Sequence, residues 1–495
     1  MSLIQNYNRV SMRKLIIMLF CFVFYTTMQA QEVWTLEKCV EYALTNNIQV
    51  KQQLLLAESA KASLQQDKLS MLPSVNGGAS HGYNFGQTID RYTNAFATSR
   101  VQTDNFYLGA NVTLFDGFQK MNLVKQQKAI VEATRYDTDK FMDDISLNIA
   151  TGYLQILFYD ELAKTAQSQL KATELQSQRL KNLVDAGAIA QGDYFTLEAQ
   201  KALENSQLIS AQNNLDIAHL TLAQLLDLPT AQGFEIEHPD LEMGSQPALT
   251  ISADQIYAFA LETQPSIKSA ESRVKSSEIG LSIAQGAQSP SLVLQGSLGS
   301  GYSGAAQIQD SYTSFRPEIT ANTPSIAFIP GVNGEPDQQV YTYGSTSVYS
   351  TKPFADQVKD NFNRSISLNL NVPIFNGWST RTNISKAKIN VENQKYNLES
   401  SKLELNKTIQ QAYADARAAL NNYKASTSGV NAARESFRYA EQKFNVGSLN
   451  SVDYNNSKKD LEKAESDQLR AKYEFIFKST VLDFYMGKPL SLKRR

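Results

Sequence analysis

Residues 106–117, FYLGANVTLFDG, and residues 366–377, ISLNLNVPIFNG, are the stretches that decide the fold. In the second, Ile366, Leu368, Leu370, Val372 and Ile374 alternate with Ser365, Ser367, Asn369 and Asn371. In the first, Phe106, Leu108, Ala110, Val112 and Leu114 alternate with Tyr107, Gly109, Asn111 and Thr113. A period of two puts the apolar set on one face of a β-strand and the polar set on the other. Two further segments, Val75 to Phe85 and Leu292 to Tyr302, are richer in Gly and Ser and alternate similarly. Each is about ten residues, the length of a membrane-crossing strand with one face for lipid and one for a lumen. A half-buried strand of a soluble sheet has the same pattern, so the rest of the chain has to decide between them.

The two stretches are matched copies. Asn111 to Gly117 aligns with Asn371 to Gly377 at a spacing of 260, which also pairs Tyr153 with Tyr413, Gly187 with Gly447, Asp193-Tyr194 with Asp453-Tyr454 and Pro229 with Pro489. Nearer the start, a spacing of 217 pairs Thr35 with Ser252, Tyr42-Ala43-Leu44 with Phe259-Ala260-Leu261 and Pro73-Ser74 with Pro290-Ser291. Constant spacings held this far mark an internal two-fold repeat. The difference of 43 residues is an insertion between Ser291 and Asn371. It lengthens the second hairpin loop to about 301–361 and carries Pro317, Pro324, Pro330, Pro336 and Pro353. Barrels keep long loops outside the cell and short turns in the periplasm, so an extracellular loop is expected here.

Of 13 prolines, none lies between Pro73 and Pro229 or between Pro373 and Pro489, which leaves room for uninterrupted helices. Phe118 to Val184 would make about 100 Å of helix. Within it Met142, Ile149, Ile156, Ala163 and Leu170 recur every seven residues, with Ile145, Gly152, Tyr159 and Ala166 between them. That is a coiled-coil seam with small residues for close approach. The second copy offers Leu405, Ile409, Ala412, Ala416, Ala419 and Tyr423. Each long helix should stop near Gly187 or Gly447, where a left-handed residue can close it. The chain should then return over Asp193 to Asp227 and Asp453 to Asp483. Each half should open on a shorter helix, Leu36 to Leu69 in the first, capped by Thr35. Ser252 and Gln255 have capping-box spacing in the second.

Residues 1–30 carry Arg13 and Lys14, then the apolar run Leu15 to Phe24, then Tyr25 to Ala30, the layout of a cleaved secretory signal. Ten apolar residues rise about 15 Å and cannot cross a bilayer core of about 30 Å. Cleavage after Ala30 would remove Arg9, Arg13 and Lys14 and no acid, taking the formal charge from −2 to −5. That mildly acidic balance argues against a nucleic-acid partner. Cys39 would be the only cysteine left, so neither an internal disulfide nor a thiolate metal cluster is expected. His81, His219 and His238 lack His or Cys partners at ligand spacing. Gly77-Gly78 and the glycines of 299–304 lack the Lys-Ser or Lys-Thr of a phosphate cradle. Asp143-Asp144 reads as a solvated helix face. With no catalytic, cofactor or metal-binding cluster to point to, the chain reads as a non-enzyme.

Four strands cannot close a barrel, and lipid does not tolerate an open sheet edge, so copies must assemble; three would give 12 strands. This layout resembles the TolC-type outer-membrane efflux family over nearly the whole exported chain. The likeness rests on the duplicated helix-strand-strand-helix-helix order. It rests also on the turns Phe115-Asp116-Gly117 and Phe375-Asn376-Gly377 and the returns Gly187/Asp193 and Gly447/Asp453. The resemblance implies an α + β membrane protein: a homotrimer whose 12-stranded β-barrel sits in outer-membrane lipid and is continued into the periplasm by a long α-helical barrel. It implies a passive exit duct without cofactor, partnered by a periplasmic adaptor (membrane fusion) protein and an inner-membrane pump of the RND or ABC type. It implies adaptor contact at the tips Ala186, Gly187, Ala188 and Val446, Gly447, Ser448. A ring at the closed periplasmic aperture would contain Asp453, with Asn456 where some members are acidic and Asp193 as a further candidate. Leu449 stands where some members carry an arginine that helps lock that mouth. The expected organisation is a signal peptide at 1–30, a first repeat at 31–229, an equatorial linker at 230–253, a second repeat at 254–489 and a tail at 490–495. A periplasmic coiled-coil scaffold without channel activity is the alternative and accounts for the helices alone.

Overall fold

A computed structural model of the chain describes residues 33–97, 100–229, 234–239, 249–315, 325–341, 344–488 and 490. The expected signal segment, most of the linker 230–253 and most of the tail lie outside these residues.

Each half opens on two helices where one was expected. The first, α1 (Leu36–Asn46), starts at Thr35, whose hydroxyl accepts from the Lys38 N–H at 3.1 Å. It stops at Asn47, where ψ turns to 131°. The Asn47 side chain then accepts from the amides of Gln49 and Val50, starting α2 (Ile48–Leu69), and donates to the Leu225 carbonyl. A buried side chain with both local and distant partners thus sets the break. The hairpin that follows is β1 (Ser74–Asn84), a short β2 (Thr88–Ile89) and β3 (Phe96–Ala97) pair, and β4 (Val101–Phe115). Then come the long helix α3 (Gln119–Asp185) and the return helix α4 (Gln191–Leu225).

The second half repeats the order. Ser252 and Gln255 form the full capping box of α5 (Ala253–Thr263), and Gln264, at ψ 127°, separates it from α6 (Pro265–Gly286). The strand β5 (Ser291–Ser303) leads into the insertion, which folds as β6 (Gln307–Phe315), β7 (Ala327–Ile329), β8 (Gln338–Val340), β9 (Gly344–Thr351) and α7 (Phe354–Asp360). The sheet strand β10 (Asn363–Asn371) ends two residues before Pro373, which has no N–H for a ladder. The chain finishes with α8 (Ser379–Asn445) and α9 (Ser451–Tyr485). Helix lengths match in pairs: 11 residues in α1 and α5, 22 in α2 and α6, 67 in α3 and α8, 35 in α4 and α9.

The described residues form two compact units, those within 1–64, 125–278 and 388–495 in one, and those within 65–124 and 279–387 in the other. The first holds the hydrophobic clusters found among the described residues. One joins Leu36, Cys39, Ala43 and Val50 to Ile145, Ile149, Tyr153, Leu222 and Tyr473; another joins Ile256, Ala260 and Ile267 to Leu405, Ile409 and Leu482. Cys39 and Ile256, Ala43 and Ala260, and Val50 and Ile267 keep the spacing of 217, whereas Ile145 and Leu405, Ile149 and Ile409, and Leu222 and Leu482 keep that of 260. On α3 the heptad positions Ile145, Ile149, Gly152, Ile156, Ala163 and Ala166 are buried, but so are Tyr153, Leu154 and Leu157. The buried face is wider than a two-stranded seam because α1, α4 and α9 all supply partners to the same cluster. Asp143 is half-buried instead of fully solvated. Burial and the neighbouring Asp139 and Asp144 push its carboxyl up to about 6.

The second unit is built on a four-stranded antiparallel sheet in the order β1-β4-β5-β10. Its register puts Val75, Ala110, Gly296 and Ile366 in one row and Ser74, Asn111, Gln295 and Ser367 in the next. The first face continues through Leu108, Leu298 and Leu368 and is open, with Ile366 85% and Leu370 66% exposed. The second carries Ser, Asn, Gln, Gly and Thr with Tyr107, Val101 and Val293 and no charged residue. Its hydroxyls and amides bond across strands, Ser74 to Asn111 and Ser297 to Ser365, both at 2.8 Å.

At the ends of β4 and β10 that lead into the long helices, the chain turns left-handed through Gly117-Phe118 (φ 68° and 63°) and Gly377-Trp378 (φ 62° and 70°). A Cβ on Gly117 would lie 2.3 Å from the Gly286 carbonyl, so the first turn packs backbone to backbone. At the opposite end the insertion is clasped by Gln357, only 1% exposed, which bonds the amide and carbonyl of Ser303 and the carbonyl of Lys352 at 2.8–2.9 Å. The Ser303 hydroxyl donates to Asp90, whose other oxygen accepts from the amides of Tyr92 and Thr93.

Candidate functional site

The two long helices end in the same way. Beyond α3 the Ala188 N–H reaches back to the Leu183 carbonyl and the Gly187 N–H to the Val184 carbonyl, both at 2.9 Å. Beyond α8 the Ser448 N–H reaches the Lys443 carbonyl at 2.9 Å and the Gly447 N–H the Phe444 carbonyl at 3.0 Å. Gly187 (φ 71°) and Gly447 (φ 75°) take the left-handed conformation this closure needs. Nothing stands within 4 Å of where a Cβ would be on either, and Ala186, Ala188, Val446 and Ser448 are exposed. Both tips therefore present bare backbone at the glycine, flanked by the exposed side chains of Ala186 and Ala188 or Val446 and Ser448.

The return helices begin differently. Asn450 caps α9 by accepting the Asp453 N–H at 2.8 Å, and its own Nδ2 donates to the Asp453 carboxylate at 2.9 Å. Ala190 gives α4 no side-chain cap. Asp453 and Asn456 are both exposed and lie one turn apart on α9. Asp193 is half-buried and accepts from the Ser451 hydroxyl, so the structure joins it to α9 but not to Asp453.

That bond is the outermost of several ties from α9 and the end of α8 to α3 and α4. Arg179 donates to Asn445 at 3.1 Å, and Gln176 donates to the Tyr454 hydroxyl. Tyr454 is 2% exposed and stacks on Phe444 at 4.5 Å; burial pushes its phenol up. One turn further, the Lys458 ammonium donates to Glu204 at 2.8 Å and to the Thr173 hydroxyl, and stands 3.3 Å from Glu462. The side chains of Lys458, Glu204 and Glu462 are 9%, 1% and 12% exposed. Gln200 donates to Glu204 at 2.8 Å. Burial raises the Glu462 carboxyl, offset in part by Lys458. Sequence reasoning missed this cluster. Its one visible trace is the four-residue spacing of Tyr454, Lys458 and Glu462, which puts them on one face of α9.

The histidines take structural positions: His81 bonds Asp104 at 2.5 Å, His219 is depressed by burial and packs near Phe234, and His238 sits 3.3 Å from Asp160. Among the described residues no cluster of His, Cys, Asp and Glu could hold a metal ion, and no helix is long and apolar enough to cross a membrane.

Three comparisons bear on this arrangement. The Outer membrane protein TolC of Escherichia coli (strain K12) is 21% identical over 457 residues, covering 90% of this chain and 81% of that protein. The outer membrane protein VceC from Vibrio cholerae superposes with a TM-score of 0.70 at 13% identity, over 92% of this chain and 96% of that one. The Campylobacter jejuni CmeC outer membrane channel does so with a TM-score of 0.66 at 18% identity, over 92% and 86%. The family model described as "Outer membrane efflux protein" matches residues 39–227 and 339–488, the greater part of both halves. The chain belongs to the outer membrane efflux protein family.

Proposed function

We propose that three copies of this chain assemble into one passive channel that carries substrates from an inner-membrane pump, of the RND or ABC type, through the periplasm and out across the outer membrane. The observation that carries this reading is the sheet. Its four strands leave both edges unpaired, one face is apolar and exposed, and the other is polar and uncharged. Lipid cannot accept such edges, and three copies joined edge to edge remove them. In this reading the apolar face meets lipid and the polar face lines the pore. The two sequence repeats, 31–229 and 254–489, form two near-equivalent staves per subunit, joined by the equatorial linker 230–253.

The insertion 301–361 then lies outside the cell. The tips Ala186-Gly187-Ala188 and Val446-Gly447-Ser448 receive the periplasmic adaptor, because the open glycines and their small neighbours let a partner helix approach the backbone there. Asp453 and Asn456 line the closed aperture: both side chains are free of packing, and threefold symmetry would gather three carboxylates near one axis. Asp193, tied to Ser451, contributes less to that ring and more to holding α9 in place. With Leu449 at the arginine position, the ties from Arg179, Gln176 and Lys458 hold the mouth closed.

The test is conductance of purified protein in a planar bilayer with a trivalent cation on the periplasmic side. Block should weaken clearly in Asp453→Asn and less in Asp193→Asn, with trimer yield unchanged. A water-soluble monomer would refute the channel, and undiminished block in Asp453→Asn would refute the ring.

A further inference from the structure

The structure carries a register for a contact it does not contain, that between neighbouring subunits of the barrel. Within each half the hairpin pairing is the same. Ser74 opposes Asn111 as Ser291 opposes Asn371, and Gly82 opposes Thr103 as Gly299 opposes Asn363. These partners keep the spacings of 217 and 260 that relate the two halves of the sequence. The halves meet along β4 and β5, where Ala110 opposes Gly296, Leu108 opposes Leu298 and Phe106 opposes Ser300. The free edges are β10, the counterpart of β4, and β1, the counterpart of β5.

We propose that β10 pairs antiparallel with β1 of a second copy in the register of the β4–β5 seam, setting Leu370 opposite Ala79 and Ile366 opposite Tyr83 of the partner subunit. The proposal rests on the trimeric channel reading and specifies its joint. Two observations support it beyond the repeat. Transferring the register keeps Ile366, Leu368 and Leu370 on the same face as Val75, Ala79 and His81, so the apolar side chains of β10 continue the outer face across the joint, with Leu368 set opposite His81. A slip of one residue would invert β10 and put those three side chains toward the pore. The two edges are also alike in length, 11 residues in β1 and nine in β10, as the seam requires.

The joint differs from the internal seam at one place. Gly117 meets the carbonyl of Gly286, and a Cβ on Gly286 would stand 2.5 Å from the Gly117 carbonyl. The counterparts of this pair are Gly377, which has open space around it, and Leu69, which has a side chain. The turn after β10 therefore cannot approach the neighbour as closely as Gly117 approaches Gly286. The pairing matches along the strands and stands wider at the periplasmic turn.

Paired cysteines in the full-length chain, with Cys21 and Cys39 replaced by alanine, test the register. Directly opposed strand residues have Cα atoms about 4.5–5.5 Å apart, inside disulfide range, and diagonal pairs about 7–8 Å apart lie outside it. Membranes oxidised with copper phenanthroline and run on non-reducing gels should give covalent dimers and trimers for Leu370→Cys/Ala79→Cys. The yield should be about tenfold that of Leu370→Cys/Gly77→Cys and Leu370→Cys/His81→Cys, whose partners are two residues off. Ile366→Cys/Tyr83→Cys carries the same prediction should the first pair fail to accumulate. Ala110→Cys/Gly296→Cys, across the internal seam, sets the yield expected of matched partners. Stronger linking by a slipped pair, or none by either matched pair in protein that native mass measurement shows to be trimeric, overturns the register alone. Monomers by native mass overturn the trimeric reading and the seam with it.

Discussion

Replacing Lys458 by methionine removes the ammonium that pairs with Glu204 and Glu462, which are 1% and 12% exposed. The volume is nearly kept, so the change is mainly electrostatic. Breaking a buried ion pair from one side costs about 3–5 kcal/mol, because the remaining charge keeps its desolvation penalty without its partner. Lys458 also donates to Thr173 of α3 and Glu204 of α4, so the loss should appear as local opening of α9 from those helices. At the lower figure, amide hydrogen exchange in peptides covering 451–462 should speed up by roughly 100-fold, since about 1.4 kcal/mol is tenfold. The defect should depend on pH. The Glu462 carboxyl is already raised by burial, and losing Lys458 raises it further. A carboxyl whose folded pKa lies above its unfolded value weakens the fold above the folded pKa, and that cost disappears as pH falls toward the ordinary carboxylate range. Exchange in Lys458→Met should therefore be nearer the parent at pH 5 than at pH 8. Adding Glu204→Met should restore most of the protection. Exchange within about threefold of the parent at both pH values would refute a strained, paired cluster here.

Asp143 is pushed up to about 6 from its usual 3.8, so its cost to stability is present above pH 6 and fades below it. Asp143→Asn should raise the melting temperature by on the order of 2 °C at pH 8 and by clearly less at pH 4.5, where part of the cost remains until pH falls below 3.8, by calorimetry of the detergent-solubilised protein. Gln357→Leu leaves the buried Ser303 amide without its acceptor, at about 1–3 kcal/mol, and should speed trypsin cleavage at Lys352 and Lys359 on intact cells. Unchanged cleavage would mean that the clasp does not hold the insertion. Gly447→Trp should leave trimers in the membrane and abolish efflux, measured as intracellular dye retention. Gly447→Asn, which tolerates the left-handed conformation, should keep it. Normal efflux in Gly447→Trp would mean that the tip only stops a helix.

Much of this architecture was legible because it is periodic. Ile366 to Ile374 announces a strand, Pro73 and Pro229 bracket the helices, and Gly187 and Gly447 mark where the long ones stop. The break at Asn47 was not legible, since asparagine is tolerated within helices and becomes a cap only when a distant group, here the Leu225 carbonyl, holds its side chain. The strands of the insertion were hidden among prolines and glycines that read as plain loop. The ties at the helix ends were hidden for a different reason. Lys458 and Glu204 are 254 residues apart, and each alone looks like a solvated charge on a helix. Only packing reveals that both point inward. For the proposed aperture residues, Asp193 and Asp453 look alike in sequence and the fold separates them: one carboxylate is bonded to Ser451, the other accepts from Asn450, the cap of its own helix, in the open.

The hydrophobic clusters of the described residues all belong to the helical unit, while the sheet has an exposed apolar face, two free edges and a strand, β10, with every residue exposed. The two parts must therefore mature on different schedules. The helices can form their buried clusters in water, in a single newly exported chain, although side chains such as Leu55, Leu175, Ile217 and Ile389 stay exposed there. The sheet of the same chain is at that moment an aggregation hazard, with strand edges ready to template any extended segment nearby. In the trimeric channel reading it becomes safe only when copies and lipid arrive together. The time each chain spends alone in the periplasm, more than its intrinsic stability, should set how much reaches the membrane, so its yield should respond steeply to how fast it is made and to the supply of holding chaperones.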